Sequence, residues 1–295
     1  MTLQEKFTGT GVALVTPFTN TGEIDHAALE KIVHHVISGG LEYLVVLGTT
    51  GESATLSKDE KKSVIETVKK TNNSRVHMML GIGGNNTREL VEQLKTEDLE
   101  GFDAVLSVSP YYNKPNQQGI INHYSALADA SPLPVLLYNV PGRTGSNLTA
   151  ETTLKLSDHK NILGIKEASG NFDQCMEILK NKSDGFLVVS GDDAYTLPLI
   201  ACGMKGVISV VANAYPRFYS DMVRAALAND YPAARPLHYK LTETIKLMFA
   251  DGSPGGVKQY LNILELCSPE VRMPLSIPSE TIIKKIKADA KVVNG

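Results

Sequence analysis

Cysteine is scarce in this chain: Cys175, Cys202 and Cys267 are odd in number, far apart and without a CxxC pair. That spacing offers neither a disulfide framework nor a zinc site, so each reads as a small core residue. Long apolar runs are missing too. The longest, Tyr43–Leu47 and Pro134–Tyr138, fall far short of a bilayer span. Met1–Phe7 lacks the basic-then-apolar layout of a secretory signal. Nor is there an excess of positive charge. A net charge of −3 and a pI near 6.2 give no reason to expect nucleic acid or an anionic membrane as partner. A cytoplasmic globular protein is the expectation.

What is present is an alternation. With 295 residues, 42% apolar and 21% charged, the chain can form one large α/β domain with a small appendix. Short apolar strands are expected at Gly11–Pro17, Tyr43–Leu47, Val76–Leu80, Ala104–Val108, Pro134–Tyr138, Ile162–Ile165, Phe186–Ser190 and Gly206–Val210. Helical spacing follows each of them, as at Leu29, Ile32, Val33, Val36 and Ile37. Ser57 with Glu60 three residues on is a capping box, and Asn86 and Thr149 open two more helices. Eight such units at intervals of roughly 25–30 residues predict a (β/α)₈ TIM barrel. The alternative, an open doubly wound sheet, lacks its signature. Gly81-Ile-Gly-Gly-Asn-Asn86 has no third glycine, and no P-loop lysine occurs. Residues 1–232 make the barrel, and 233–295 read as helices only, a C-terminal extension.

Barrel enzymes carry their reactive groups at strand C-termini and in the loops beyond. Here those positions hold Thr49 and Thr50, Tyr111 and Tyr112, Tyr138 with Arg143, Lys166, Gly191-Asp-Asp193, and Ile208-Ser209. No His, Asp and Glu cluster suggests a metal, and a Ser-His-Asp relay lacks its histidine. Lys166 directly follows an apolar run. It is either a strand-end lysine whose head reaches water or a desolvated amine able to attack a carbonyl. The hydroxyls have similar alternatives, as turn caps or satisfied core groups. Taken together they favour Schiff-base chemistry: the lysine condenses with a ketone, neutral hydroxyls move protons, and an arginine receives a carboxylate. No cofactor is needed.

Four segments resemble the motifs of the dihydrodipicolinate synthases, within the pyruvate-dependent class I aldolase family. They are Gly48-Thr-Thr-Gly-Glu-Ser-Ala-Thr-Leu56, Pro110-Tyr-Tyr-Asn-Lys-Pro115, Tyr138-Asn-Val-Pro-Gly-Arg-Thr144 and Gly164-Ile-Lys-Glu-Ala-Ser169. The match in order and spacing runs to Val271-Arg-Met-Pro-Leu275. The resemblance implies condensation of pyruvate with L-aspartate 4-semialdehyde, on the route to diaminopimelate and lysine. It implies that Lys166 forms the Schiff base, that Tyr138 gives and takes protons, and that Thr49 and Tyr112 complete the relay. Tyr112 would reach in from a neighbouring subunit of a homotetramer built as a dimer of dimers. Thr50, Ile208 and Gly191 would serve the bound pyruvate and Arg143 the semialdehyde's carboxylate. An aldolase of sugar acids and a barrel that only binds are the rival readings; Arg143 and the intact relay count against them.

The resemblance also implies a site for feedback by lysine, at Ser53, Ala54, Lys58, Asn85, Glu89 and Tyr111. Lys58 and Lys61 stand where sensitive relatives often carry histidine. Two ammonium groups would repel a cationic ligand, so weak or absent inhibition is expected.

Overall fold

In the computed structural model, which describes residues 1–295, the apolar runs become eight parallel strands closed into a barrel in chain order. The repeating units are β1 (Gly9–Ala13) and α1 (His26–Ser38), β2 (Tyr43–Val46) and α2 (Lys58–Asn72), β3 (His77–Gly81) and α3 (Thr87–Thr96), and β4 (Ala104–Val108) and α4 (Gln117–Ala130). They continue with β5 (Val135–Asn139) and α5 (Ala150–Ser157), β6 (Ile162–Glu167) and α6 (Phe172–Asn181), β7 (Leu187–Ser190) and α7 (Thr196–Ala201), and β8 (Gly206–Ser209) and α8 (Pro216–Leu227). The expected caps form. Ser57 Oγ accepts from the Glu60 amide while Glu60 Oε2 accepts from the Ser57 amide at 2.8 Å.

The first strand differs from its expected span. It begins at Gly9, because Gly9–Val12 pair with Gly206–Ser209 and so close the barrel. It ends at Ala13. Beyond it Val15 N donates to the Asn213 side chain at 3.2 Å.

The barrel interior is a packed column of side chains, with Tyr43, Val45, Leu106, Leu136, Tyr138, Leu187, Val189 and Ile208 among them. Phe7 plugs its N-terminal end, edge-on to Tyr43 at 5.1 Å. Along most strands alternate residues point inward. Strand β6 breaks that rule. Its register with β5 jumps from Val135↔Ile162 to Leu136↔Gly164, an insertion of one residue at Leu163. Leu163 faces the interior, while Ile162 and Ile165 both pack in the outer layer against the helices. A bulge re-aims the side chains that follow it, and here it turns Lys166 inward. Gly164 at this irregularity lets β7 approach closely: a Cβ there would sit 1.9 Å from Leu187 O.

After the barrel come α9 (Tyr231–Lys240), α10 (Thr242–Phe249), α11 (Gly255–Ile263) and α12 (Glu280–Asn294). The tail is not helical throughout. Pro269, Pro274 and Pro278 fall in an irregular stretch between α11 and α12, since proline removes the amide a helix would use. Val257, Tyr260, Leu261, Ile286 and Val293 join the same apolar cluster as Val12, Leu44 and Val223. The extension is therefore packed onto the barrel by a shared core.

Candidate active site

Lys166 and Tyr138 are register partners on neighbouring strands, and the ammonium lies 4.3 Å from the Tyr138 ring centre. Both are buried. Burial lowers the Lys166 pKa to about 8, with Arg143 adding to the effect and Asp193 opposing it. Burial also pushes the Tyr138 hydroxyl up to about 12, against Arg143 and a hydrogen bond with Thr49. The pair is thus an amine close to neutrality beside a phenol that keeps its proton.

These groups open into one cavity of about 370 Å³, lined by Thr49, Thr50, Tyr138, Arg143, Lys166 and Gly191 together with Asp193. Gly191 has a steric reason to be glycine. A Cβ there would lie 2.8 Å from Lys166 Cε and 2.7 Å from Ala168 Cβ, so a side chain would displace the lysine. Thr50 is buried, and Arg143 stands exposed on a one-turn helix, Pro141–Thr144, in the loop after β5. Ile208 packs in the barrel interior with Tyr138 and is not among the lining residues of the cavity.

Tyr112 is set apart from the rest. It is 86% exposed and holds a φ of 72°, a conformation that strains a bulky side chain. Tyr111 beside it is half-exposed, and Asn85 Nδ2 donates to its carbonyl at 3.2 Å. Lys58, Lys61 and Glu89 line a polar groove between α2 and α3, while Ser53 and Lys61 line a small cleft that also touches Thr49 and Tyr138. Ala54 is exposed on the same loop as Ser53.

Two contributors carried no sequence-based role. Ile245, Lys246 and Phe249 of α10 form part of the cavity wall, and nothing in their helical spacing indicates which barrel face they meet. Asp193 is buried with its Oδ2 accepting from Val210 N at 2.9 Å and Val211 N at 3.1 Å. Its Oδ1 has no partner. The sequence placed Asp193 at a strand end, but only the fold brings its charge to bear on Lys166. No group of three or more His, Cys, Asp or Glu side chains is arranged to hold a metal ion, and no helix is long and apolar enough to cross a membrane.

The model of the dihydrodipicolinate synthetase family matches residues 6–293. A 4-hydroxy-tetrahydrodipicolinate synthase of Flavobacterium psychrophilum is 53% identical over 283 residues, covering 96% of this chain and 97% of the relative. Among solved structures, one described as the first monomeric dihydrodipicolinate synthase variant superposes with a TM-score of 0.95 at 34% identity, covering 99% and 98% of the two chains. Another, from Cyanidioschyzon merolae with lysine bound, gives 0.93 at 36% identity over 98% and 99%. Sequence and backbone agree along almost the entire length, and the chain belongs to the dihydrodipicolinate synthetase family.

Proposed function

We propose that this chain is a carbon–carbon lyase of the synthase type. It condenses pyruvate with L-aspartate 4-semialdehyde to give 4-hydroxy-tetrahydrodipicolinate, in the biosynthesis of diaminopimelate and lysine. One observation carries the reading: an inward-facing lysine with a pKa near 8, seated against a tyrosine ring in a cavity at the strand C-termini. Burial thereby raises the share of free amine far above that of an ordinary lysine with a pKa near 10.5.

The chemistry follows from that amine. Lys166 Nζ attacks C2 of pyruvate, and the ketone oxygen leaves as water once protonated. The iminium withdraws electrons, so C3 loses a proton and becomes a nucleophilic enamine. Its attack on the aldehyde carbon forms the new bond and leaves a hydroxyl. The amino group of the semialdehyde then adds to C2, closes the ring and expels Lys166. Every proton step suits a group that stays neutral. Tyr138 fills that role, with the Thr49 hydroxyl as its hydrogen-bond neighbour. Thr50 holds pyruvate, with Gly191 leaving room for it, and Ile208 serves the site from the packed barrel interior beside Tyr138. Arg143, the exposed cation at the mouth, takes the semialdehyde's carboxylate.

Tyr112 completes the relay in a neighbouring subunit. A tyrosine 86% exposed in a left-handed conformation is a side chain without a place in its own protomer. That exposure supports a homo-oligomer, and we take the enzyme to be a tetramer arranged as a dimer of dimers, in the cytoplasm. Lysine is a weak effector at best on the strength of Lys58 and Lys61, two ammonium groups on the groove that holds Glu89, although that groove as a whole carries six carboxylates and five cations. Half-inhibition below about a millimolar, the range of moderate affinities, would refute that.

Reduction with borohydride in the presence of pyruvate tests the whole reading. The peptide holding Lys166 gains the mass of a reduced pyruvate adduct, and the unreduced enzyme turns over when the semialdehyde is added. Absence of any adduct overturns it.

A further inference from the structure

The loop between β2 and α2 consists of two 3₁₀ turns, Thr49–Gly51 and Ser53–Thr55, hinged on Glu52. Glu52 holds φ 52° and ψ 32°, the left-handed region that strains a non-glycine residue. Its side chain is fully buried, which adds the cost of desolvating a charge. A glycine would satisfy the backbone more cheaply. The carboxylate therefore has a task that glycine could not perform.

That task is to tie the loop to the C-terminal extension. Lys258 on α11 donates to Glu52 Oε1 at 2.5 Å, and Arg272 N donates to Oε2 at 2.9 Å. Lys258 also donates to Glu270 O at 2.8 Å and lies 4.2 Å from the centre of the Phe18 ring. The Arg272 guanidinium, 4.5 Å from the same ring, donates to Thr55 O and to Glu60 at 3.0 Å each and to Gly22 O at 2.8 Å. Two cations of the extension thus grip the loop at its hinge and at its end. Thr16 Oγ1 holds the first turn, donating to Gly51 O at 2.7 Å. The residues so fixed, Thr49 and Thr50, line the cavity beside Lys166.

We propose that Glu52, Lys258 and Arg272 are positioning residues, through which the C-terminal extension sets the turn that presents Thr49 and Thr50 to pyruvate. The proposal rests on the aldolase reading given above. A buried ion pair adds little net stability over apolar groups of the same size, but it fixes distance and direction. Fixing them matters because a displacement of about 1 Å near the chemistry can cost about 10²-fold in rate.

The test separates geometry from stability. Lys258→Met alone leaves Glu52 buried with no counter-charge, held only by the Arg272 amide, and lowers Tm. Combining it with Glu52→Gln removes both charges at nearly constant volume and brings Tm back toward wild type. In that double variant kcat/KM for pyruvate stays down by about 10–10²-fold, chiefly through KM, while borohydride at saturating pyruvate still traps Lys166. Arg272→Lys, at a partly exposed position, gives a smaller rise in KM with kcat unchanged. Kinetics that recover together with Tm would make the clamp merely structural and overturn the proposal. So would wild-type kinetics for Arg272→Lys should the double variant fail to fold. A wild type that traps no pyruvate would overturn the aldolase reading instead.

Discussion

Two lysines are withdrawn from water in this molecule, one at the barrel mouth and one under the C-terminal extension. Lys166 is 5% exposed and Lys258 wholly buried. Their ammonium groups lie 4.3 Å and 4.2 Å from the ring centres of Tyr138 and Phe18. Burial pulls both pKa values down. The difference is the partner. Lys258 has Glu52 at 2.5 Å, acting against the downward pull, whereas Lys166 feels Asp193 without a salt bridge to it. A buried ammonium with a carboxylate in contact remains an ion and serves as a joint. The same group without one drifts toward the free amine and can serve as a nucleophile.

Replacing each lysine by methionine breaks the comparison most severely. Lys166→Met abolishes borohydride trapping and turnover, yet raises Tm. The sign follows from the folded pKa near 8 against 10.5 for an ordinary lysine. The unfolded chain binds more protons between those values, so this group's contribution to stability rises with pH across that window. Below it, the charged folded lysine carries the full burial penalty, and methionine removes it. The gain at pH 7 is at most about 3 kcal/mol by the size of that shift and fades toward pH 10.5. Lys258→Met runs the other way, losing about 3–5 kcal/mol because the buried Glu52 loses its counter-charge, with trapping at Lys166 retained. Thermal melts of both variants at pH 7 check the pair; shifts of the same sign would sink the contrast.

Only half of that contrast could be read from the chain. The strand-end hydroxyls and Lys166 were visible because apolar runs of four or five residues separated by helical spacing fix where strands stop. The inward aim of Lys166 was not, since it depends on a one-residue bulge at Leu163 that a pattern of period two does not register. Read by alternation from Leu163, Lys166 would face outward. Lys258 left still less trace. Its partner Glu52 is 206 residues away in sequence, and a lysine in a helical segment ordinarily faces solvent. The α10 wall of the cavity, with Ile245 and Phe249, was hidden for the same reason: apolar spacing shows that a face is buried, not what it is buried against.

The two rings sharpen the comparison at a smaller scale. Tyr138→Phe gives Lys166 the same kind of ring that lies beside Lys258. Packing and the attraction of a cation to the ring face persist, and only the hydroxyl is lost. That hydroxyl, pushed up to about 12, stays protonated at neutral pH and so is available to pass protons. The variant retains pyruvate trapping and loses roughly 10²–10⁴-fold in turnover, the usual size for a proton-transfer group. A loss under about tenfold would leave the hydroxyl without its proposed role.

Asp193→Asn removes the carboxylate whose charge acts on Lys166, and its effect is the smallest of the three. The substitution fits, because an asparagine oxygen can accept from Val210 N and Val211 N as Oδ2 does now. Asp193 raises the Lys166 pKa while burial lowers it. Without it burial acts nearly unopposed, and the pKa falls below its present value of about 8. Since kcat/KM for pyruvate rises as the amine loses its proton, the acid limb of the pH profile moves to lower pH. Burial raises the pKa of Asp193 itself, which gives the result a second use. A limb that stays in place would mean that Asp193 is already protonated where Lys166 titrates. The carboxyl would then be a neutral hydrogen-bonding group and no counter-charge for the amine.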